Sequence, residues 1–225
     1  MKKRQDELIQ AIVKNDAFRV RGLLNEDPDL VTTPDSQGRT PILLALYFGH
    51  EDLAGLIREE SPTPTLFEAV ALGEVELAGE LLSEAQAGAN AFSPDGFGLL
   101  GLAVYFGRVE MAKYLLESGA DPDTPSANSS GVRPIHSALA HRDPETSLAM
   151  ARLLLEAGAE TNVIQAGGWS PLHQAAAHGR RELAELLLAK GADTSATSDD
   201  GRTPAEMAKA KGHDELEVLL TPGGS

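Results

Sequence analysis

Residues 96–101 have the G-x-G-x-x-G spacing with which dinucleotide-binding enzymes hold a pyrophosphate. Asp121, about 20 residues further on, lies where such a fingerprint places its ribose-binding acid. The motif works only between a strand and a helix of a βαβ unit. Here no strand is predicted before it, and the glycines lie where a loop enters a short helix. The sequence therefore predicts no nucleotide cofactor.

Histidine pairs are a second possible source of chemistry, as metal ligands. His136 with His141, and His173 with His178, repeat at the same spacing. Packed helices lie roughly 8–10 Å apart, so His141 and His178 on neighbouring helices are too far apart to hold one ion without convergence of their side chains. We therefore predict structural roles for the histidines at 136 and 173, and no metal site.

The other reactive residue types form no catalytic constellation either. The chain has no cysteine, which excludes thiol nucleophiles and Cys-ligated metals. No H-E-x-x-H, G-x-S-x-G or Walker sequence occurs. Acid pairs such as Glu59-Glu60 and Asp199-Asp200 are interpreted as solvated charge. No catalytic residue is predicted, and we expect the chain not to be an enzyme.

Charge and hydropathy indicate which partners the chain accepts. It has 34 acidic and 19 basic residues, a formal net charge of -15. Such a charge repels nucleic acid and favours a protein partner with a basic or neutral surface. No apolar stretch approaches the roughly 20 residues of a membrane span, and the acidic segment 5–7 stands where a signal peptide would turn apolar. We expect a cytoplasmic monomer that contacts no membrane.

The elements that position these residues recur at intervals of about 33 residues, which indicates a repeat architecture. The clearest copy covers residues 169–193. Ser170 is placed to cap its first helix, Pro171 to begin it and Gly179 to end it. A second helix with an apolar stripe follows, and Gly191 ends it where a left-handed conformation costs least. The pattern predicts two short antiparallel helices and then a turn.

This copy resembles the ankyrin repeat, whose Thr-Pro-Leu-His motif is matched by the residues at 170–173. The resemblance implies an all-α fold, an ankyrin-repeat solenoid of about seven helix-turn-helix units with short β-hairpin-like fingers. It also implies that the rings of His136 and His173 hydrogen-bond to the backbone of adjacent fingers. Further helix starts fit the same frame at Thr40-Pro41, Arg133-Pro134 and Thr203-Pro204.

We predict a single domain over residues 1–220, followed by a flexible tail at 221–225. The units are expected at approximately 1–34, 35–61, 62–92, 93–125, 126–164, 165–197 and 198–220. The terminal units are the atypical ones, because one side of each faces water. In the first unit, Asn15 stands where glycine is expected to end the first helix.

Two departures from the period are expected to change the stack locally. Only 24 residues separate Gly49 from Gly73, which leaves no length for a finger between units two and three. Unit five has extra residues at about Asp143–Thr146, and a finger rich in serine and asparagine precedes it at Ser126–Gly131. We expect both of these insertions to be exposed loops.

In the ankyrin family the fingers and first helices form a concave surface, and the residues just before the helix-ending glycine project into it. Six of the ten aromatic residues fall at these positions or just before a helix cap, and tyrosine and tryptophan often dominate interface energies. The resemblance implies partner binding by Tyr47, Phe48, Leu72, Phe97, Tyr105, Phe106, His141, Trp169 and His178. The alternative, for Phe48 and Phe106 and also for Tyr47 and Tyr105, is that the rings turn inward and fill the core.

The predicted function is a non-catalytic protein–protein interaction module, acting as an adaptor, regulator or inhibitor through the concave face. One alternative is an enzyme or small-molecule binder, with an enclosed polar pocket near Glu68 or Asp95 in the irregular region of units two to four. Another is a structural module that assembles with copies of itself. The fold alone names no partner.

Overall fold

The computed structural model describes residues 2–61, 63–84 and 88–221, and these contain fourteen α-helices. The helices are α1 (Lys2–Val13), α2 (Ala17–Glu26), α3 (Pro41–Tyr47), α4 (Glu51–Glu59), α5 (Leu66–Leu72), α6 (Val75–Glu84), α7 (Leu99–Tyr105), α8 (Val109–Glu117), α9 (Pro134–Ala140), α10 (Pro144–Glu156), α11 (Pro171–Ala177), α12 (Arg181–Ala189), α13 (Pro204–Ala210) and α14 (Asp214–Leu220). Short 3-10 segments cover Pro28–Thr32 and Gly88–Asn90.

Successive helices pack in pairs, α1 with α2 and so on to α13 with α14, and the first helix of each pair packs against the first helix of the next. This arrangement confirms the predicted all-α solenoid. The number of repeat units and their boundaries stay predictions.

The helices begin and end at the residues that the sequence singles out. The Ser170 hydroxyl accepts a hydrogen bond from the backbone N–H of His173, and Pro171 is the first residue of α11. Thr203 and Glu206 form a capping box at the start of α13. Gly179, just after α11, has a φ of 66°, a left-handed conformation that glycine adopts without strain.

Short hairpin-like fingers connect most of the pairs. The N–H of Gly38 donates to the carbonyl of Asp35 at 3.1 Å, and the N–H of Gly168 donates to that of Gln165 at 3.1 Å. Antiparallel bridges join Phe92 to Gly98 and Gln165 to Trp169. The predicted fingers are therefore confirmed, including the loop at residues 96–98 that carries the first two glycines of the G-x-G-x-x-G match.

The stack changes character between α4 and α5. Only six residues separate the two helices, and the described ones among them form no finger, as the short spacing predicts. The hydrophobic core also divides here. Ala71 belongs to the cluster formed by α1 to α4, which we call the N-terminal core, whereas Ala69 and Val70 belong to the cluster of the later helices, the C-terminal core. Tyr47 and Phe106 are among the side chains that pack against both.

The prediction of an exposed loop at Asp143–Thr146 is wrong. These residues are mainly exposed, but they cap and begin α10, which is four residues longer than α12. The Asp143 carboxylate accepts a hydrogen bond from the N–H of Thr146 at 2.8 Å, and Pro144 occupies the first helical position. An aspartate before a proline is a strong helix start, because the proline has no N–H that would need a partner.

The remaining irregular segments match the sequence more closely. Asn15 has a φ of 55°, and it is the only non-glycine residue in the described part of the chain with a positive φ. The Ser126–Gly131 finger is a loop as predicted, although Ser126 itself is buried. The tail predicted at 221–225 lies, apart from Thr221, outside the described residues. No described helix is both long and apolar enough to cross a membrane.

Gly168→Ala is expected to lower the free energy of unfolding by about 3 kcal/mol. The φ of Gly168 is +72°, and an added Cβ would lie 2.5 Å from the backbone nitrogen of Asp199 in the next finger. The two fingers are held together there, since the N–H of Asp199 donates to the carbonyl of Gly167 at 3.0 Å. Chemical denaturation monitored by circular dichroism measures the loss.

Gly201→Ala is the matched control for this substitution. Gly201 has a similar φ of +77° in the following finger, but nothing lies within 4 Å of an added Cβ. Only the backbone cost of about 1 kcal/mol is therefore expected. Equal losses in the two variants would show that the contact between fingers adds nothing to the stability.

Candidate functional site

Four aromatic side chains, from the ends of α3 and α7 and from the finger before α7, meet in one cluster. The ring centroid of Tyr47, at the end of α3, lies 5.6 Å from that of Tyr105 and 5.1 Å from that of Phe106. Tyr105 and Phe106 meet edge to face at 5.1 Å, and Phe97 lies 6.2 Å from Tyr47. Tilted and edge-to-face pairs are favourable because the positive edge of one ring meets the negative face of another. We call these four residues the aromatic cluster.

An open groove with a volume of about 690 Å³ runs beside the aromatic cluster. The cluster and Phe48 form one wall. The rest of the lining comes mainly from α9, the start of α10 and the finger that precedes α9. It includes Val132, Ser137, Ala140, His141, Arg142 and Asp143. The groove is therefore built from the same first-helix ends and fingers that the sequence singles out.

Six of the nine predicted contact residues line this groove: Tyr47, Phe48, Phe97, Tyr105, Phe106 and His141. The other three lie elsewhere. Leu72 packs against the N-terminal core, Trp169 packs against the C-terminal core, and His178 is exposed at the end of α11. A contact role for these three stays a prediction, separate from the groove.

The exposed fraction of each ring shows which rings face solvent and which pack into the core. Tyr105 is 46% exposed and Phe48 is 47% exposed, so both present much of their surface to solvent. Phe106 is half-buried and packs against both cores. The alternative that both phenylalanines turn inward therefore describes Phe106 and not Phe48.

Tyr47 is fixed in place by polar contacts as well as by packing. Its hydroxyl donates to the Asp95 carboxylate at 2.8 Å, and the guanidinium of Arg39 lies over its ring, 5.9 Å from the centroid. Burial raises the pKa of the Tyr47 hydroxyl well above its usual range, and the charge of Asp95 raises it further. Tyr47 therefore remains a neutral hydrogen-bond donor.

The two histidines at the third position of their helices behave differently. The Nε2 of His173 lies 2.9 Å from the carbonyl of Arg202 in the next finger, which confirms the predicted bond. For His136 the predicted bond lacks full hydrogen-bond geometry, and neither ring nitrogen has such a partner among the described residues. The backbone of Val163 faces the ring but falls short of hydrogen-bond geometry. Burial lowers the pKa of His136 to about 4.

Gln174 is the functional candidate that sequence reasoning missed. It is buried on α11, and its Nε2 donates to the carbonyl of His136 at 3.1 Å. Its Oε1 has no partner among the described residues. Gln174 and His136 both line the groove, and we call them the polar floor. The only sequence signal was a glutamine at a helix position that other units fill with apolar or small residues.

The acids in the irregular region hold the fold together. Both oxygens of Glu68 are bonded, one by the hydroxyl of Thr40 at 2.6 Å and one by the N–H of Thr65 at 2.6 Å. Asp95 accepts from Tyr47, and the cavity beside it, of about 410 Å³, opens to solvent. Within the described ranges, no three His, Asp or Glu side chains lie close enough to hold a metal ion.

Charged residues at the groove edge are already partly paired. Arg108 bonds the Glu51 carboxylate at 2.7 Å and the carbonyl of Ala71 at 2.8 Å. Hydrogen bonds from Thr146 hold the pKa of Asp143 below its usual range. Arg142 also lines the groove. The edge therefore presents charges of both signs around an aromatic and polar interior.

Comparisons with known proteins agree with this architecture. Residues 66–165 and 145–224 match a family model described as ankyrin repeats in three copies, and together they cover more than half of the chain. The chain is also 28% identical over 178 residues to the probable 26S proteasome regulatory subunit p28 of Saccharomyces cerevisiae. That alignment covers 78% of this chain and 66% of the yeast protein, so the chain spans just under two thirds of that relative's length.

Proposed function

Because the chain belongs to the ankyrin repeat family, we propose that it is a non-catalytic interaction module that holds a partner protein in the groove beside the aromatic cluster. The observation that carries this proposal is the exposure of Phe48, just after α3, and of Tyr105, at the end of α7. Large exposed rings contribute contact area with few rotatable bonds to freeze, and they dominate many interfaces. An adaptor, regulator or inhibitor acts through such a surface.

The name of the yeast relative supports a regulatory role for such binding. It describes a probable regulatory subunit of the 26S proteasome, a protein that acts within a larger assembly. We propose for this chain only the shared part of that description, namely regulation of a partner protein by binding. The acidic net charge of -15 favours a partner with a basic or neutral surface.

The enzyme alternative has less support. An enzyme in the irregular region needs titratable groups that converge on an enclosed pocket. Glu68 instead caps α5, and Asp95 binds Tyr47 beside an open cavity. These arrangements support a non-catalytic role.

Tyr105→Ala is expected to weaken capture of the partner at least tenfold and to lower the free energy of unfolding by less than about 1 kcal/mol. Tyr105 is exposed beside the groove, so its ring adds more to a complex than to the fold. Affinity capture from a cell lysate with the tagged chain, followed by quantitative mass spectrometry, measures which proteins the variant loses.

Phe18→Ala is the matched control, because Phe18 is 92% exposed on α2 and does not line the groove. Proteins lost with Tyr105→Ala but retained with Phe18→Ala are the groove partners. Equal capture by both variants would overturn the proposal. Light scattering of the pure chain tests self-assembly, and a stable oligomer that depends on Tyr105 would favour the structural alternative.

A further inference from the structure

The polar floor of the groove has hydrogen-bonding atoms that the fold leaves unused. His136 is 2% exposed and Gln174 is 6% exposed. Across residues 2–61, 63–84 and 88–221, no group bonds either ring nitrogen of His136 or the Oε1 of Gln174. Buried polar atoms in folded proteins are nearly always paired. Both residues line the open groove, so the buried, unpaired atoms point to a ligand that reaches them from the groove and supplies the missing partners.

The unused atoms are mainly acceptors. The Nε2 of Gln174 is committed to the carbonyl of His136, which leaves the Oε1 as the free end of the amide. Burial lowers the pKa of His136 to about 4, so the ring is neutral at pH 7 and keeps one nitrogen lone pair. With one ring nitrogen facing the backbone of Val163, the other is left as an acceptor for a ligand. The occupant must therefore donate at least two hydrogen bonds.

The aromatic side chains of the groove favour a hydrogen-bond donor that carries a positive charge. The aromatic cluster offers ring faces, and a cation over a tyrosine or phenylalanine face is attracted by the ring quadrupole. Within the chain, Arg39 already lies over the ring of Tyr47 at 5.9 Å, so the cluster accepts a guanidinium in its own fold. The net charge of -15 adds a general attraction for cations.

We propose that the groove binds an arginine side chain of the partner protein, whose guanidinium donates to Gln174 and His136 while its plane lies against the aromatic cluster. A guanidinium carries five N–H donors in a planar fork, which matches two adjacent acceptors and stacks on aromatic rings. A lysine ammonium stacks less well, and a primary amide has no charge for the rings. The inference rests on the proposed function and defines the chemistry of the partner.

The test uses the full chain and three peptides that differ only at the central residue: acetyl-Gly-Arg-Gly-amide and its lysine and glutamine counterparts. Titration followed by NMR is expected to shift the side-chain amide signals of Gln174 and the ring signals of His136. The arginine peptide should bind at least fivefold more tightly than either counterpart. Equal binding of the lysine or glutamine peptide would overturn the assignment of arginine.

Gln174→Met removes the acceptor with little change in side-chain length, and it is expected to weaken the arginine peptide about tenfold. Gln10→Met on the exposed side of α1 is the matched control and should bind like the parent chain. Gln174→Glu is the second variant, and its ionised acceptor should tighten arginine binding if the methionine variant fails to fold. Unchanged affinity in either folded variant would show that the polar floor does not contact the ligand.

The two proposals fail separately. If Tyr105→Ala loses the captured partner while Gln174→Met retains both partner and peptide, the arginine site is wrong and the interaction groove stands. If Tyr105→Ala captures every protein that the parent chain captures, the groove itself is wrong, whatever the peptides do.

Discussion

Tyr47→Ala is expected to lower the free energy of unfolding by about 3 kcal/mol, which for a chain of this size corresponds to roughly 10 °C in melting temperature. Tyr47 packs against both hydrophobic cores, and its ring contacts those of Phe97, Tyr105 and Phe106. Removing it opens a void at the junction of the two cores and leaves Asp95 without the hydroxyl that it binds. Thermal and urea denaturation of the two proteins measure the difference.

Tyr47→Phe separates the two parts of this loss. The phenylalanine keeps the ring contacts and removes only the bond to Asp95, so a loss of about 1 kcal/mol is expected. If the alanine variant is no less stable than the phenylalanine variant, the ring does not join the cores. In that case Tyr47 would be a contact residue alone, like Tyr105.

Between pH 6.5 and 4, His136 is expected to lower the free energy of unfolding of the parent chain by about 3 kcal/mol, and His136→Gln is expected to abolish this loss. The usual pKa of a histidine is 6.5, and burial lowers that of His136 in the folded chain to about 4. As the pH falls through 6.5, the unfolded chain takes up a proton at this ring while the folded chain does not. The contribution of the neutral His136 ring to the free energy of unfolding is therefore fully present above pH 6.5. It is lost as the pH falls from 6.5 to 4 and does not change further below pH 4.

Urea denaturation at pH 7.5, 5.5 and 4.5 measures this effect as the difference between the parent chain and the variant. Carboxylates whose pKa is lowered in the fold, such as Asp35 and Asp143, also titrate in acid, but they are present in both proteins. The free energy of unfolding of the variant, relative to that of the parent chain, should rise steadily as the pH falls. Parallel stability curves would mean that folding does not lower the pKa of His136.

Local signals in the sequence predicted most of the fold because helix starts and ends depend on neighbouring residues. Ser170 and Pro171 begin α11, and Gly179 follows its end, as their side chains and backbone preferences require. The loop predicted at Asp143–Thr146 is instead a helix start, because Asp143 and Pro144 together form a strong N-terminal helix signal. A cap signal outweighs the repeat period, because the hydrogen bond from Thr146 forms within one turn of chain.

The polar floor was beyond sequence reasoning for a different reason. His136 and His173 occupy equivalent positions, yet only His173 finds its carbonyl in the next finger. That outcome depends on where a segment about 30 residues away places its backbone. Likewise, a glutamine at position 174 reads as an ordinary polar helix residue until its burial and its unpaired oxygen are seen.

The aromatic cluster could be predicted from the sequence only in part. Three of its rings precede a helix-ending glycine and the fourth, Phe97, precedes a helix cap; these positions were visible in the sequence, and the four rings meet in space. Trp169 occupies an equivalent finger position but packs against the C-terminal core instead. Spacing therefore predicts which backbone positions border the groove, whereas the direction of each ring depends on the side chains of the next repeat.

The groove crosses the place where the hydrophobic core divides. Phe48 follows α3 on the side of the N-terminal core, whereas His141 follows α9 on the side of the C-terminal core, and both line the same opening. A molecule bound there contacts both halves of the chain at once. Its affinity and the mechanical stability of the chain are therefore linked. A ligand that binds only when the two halves are packed together also raises the force needed to separate them.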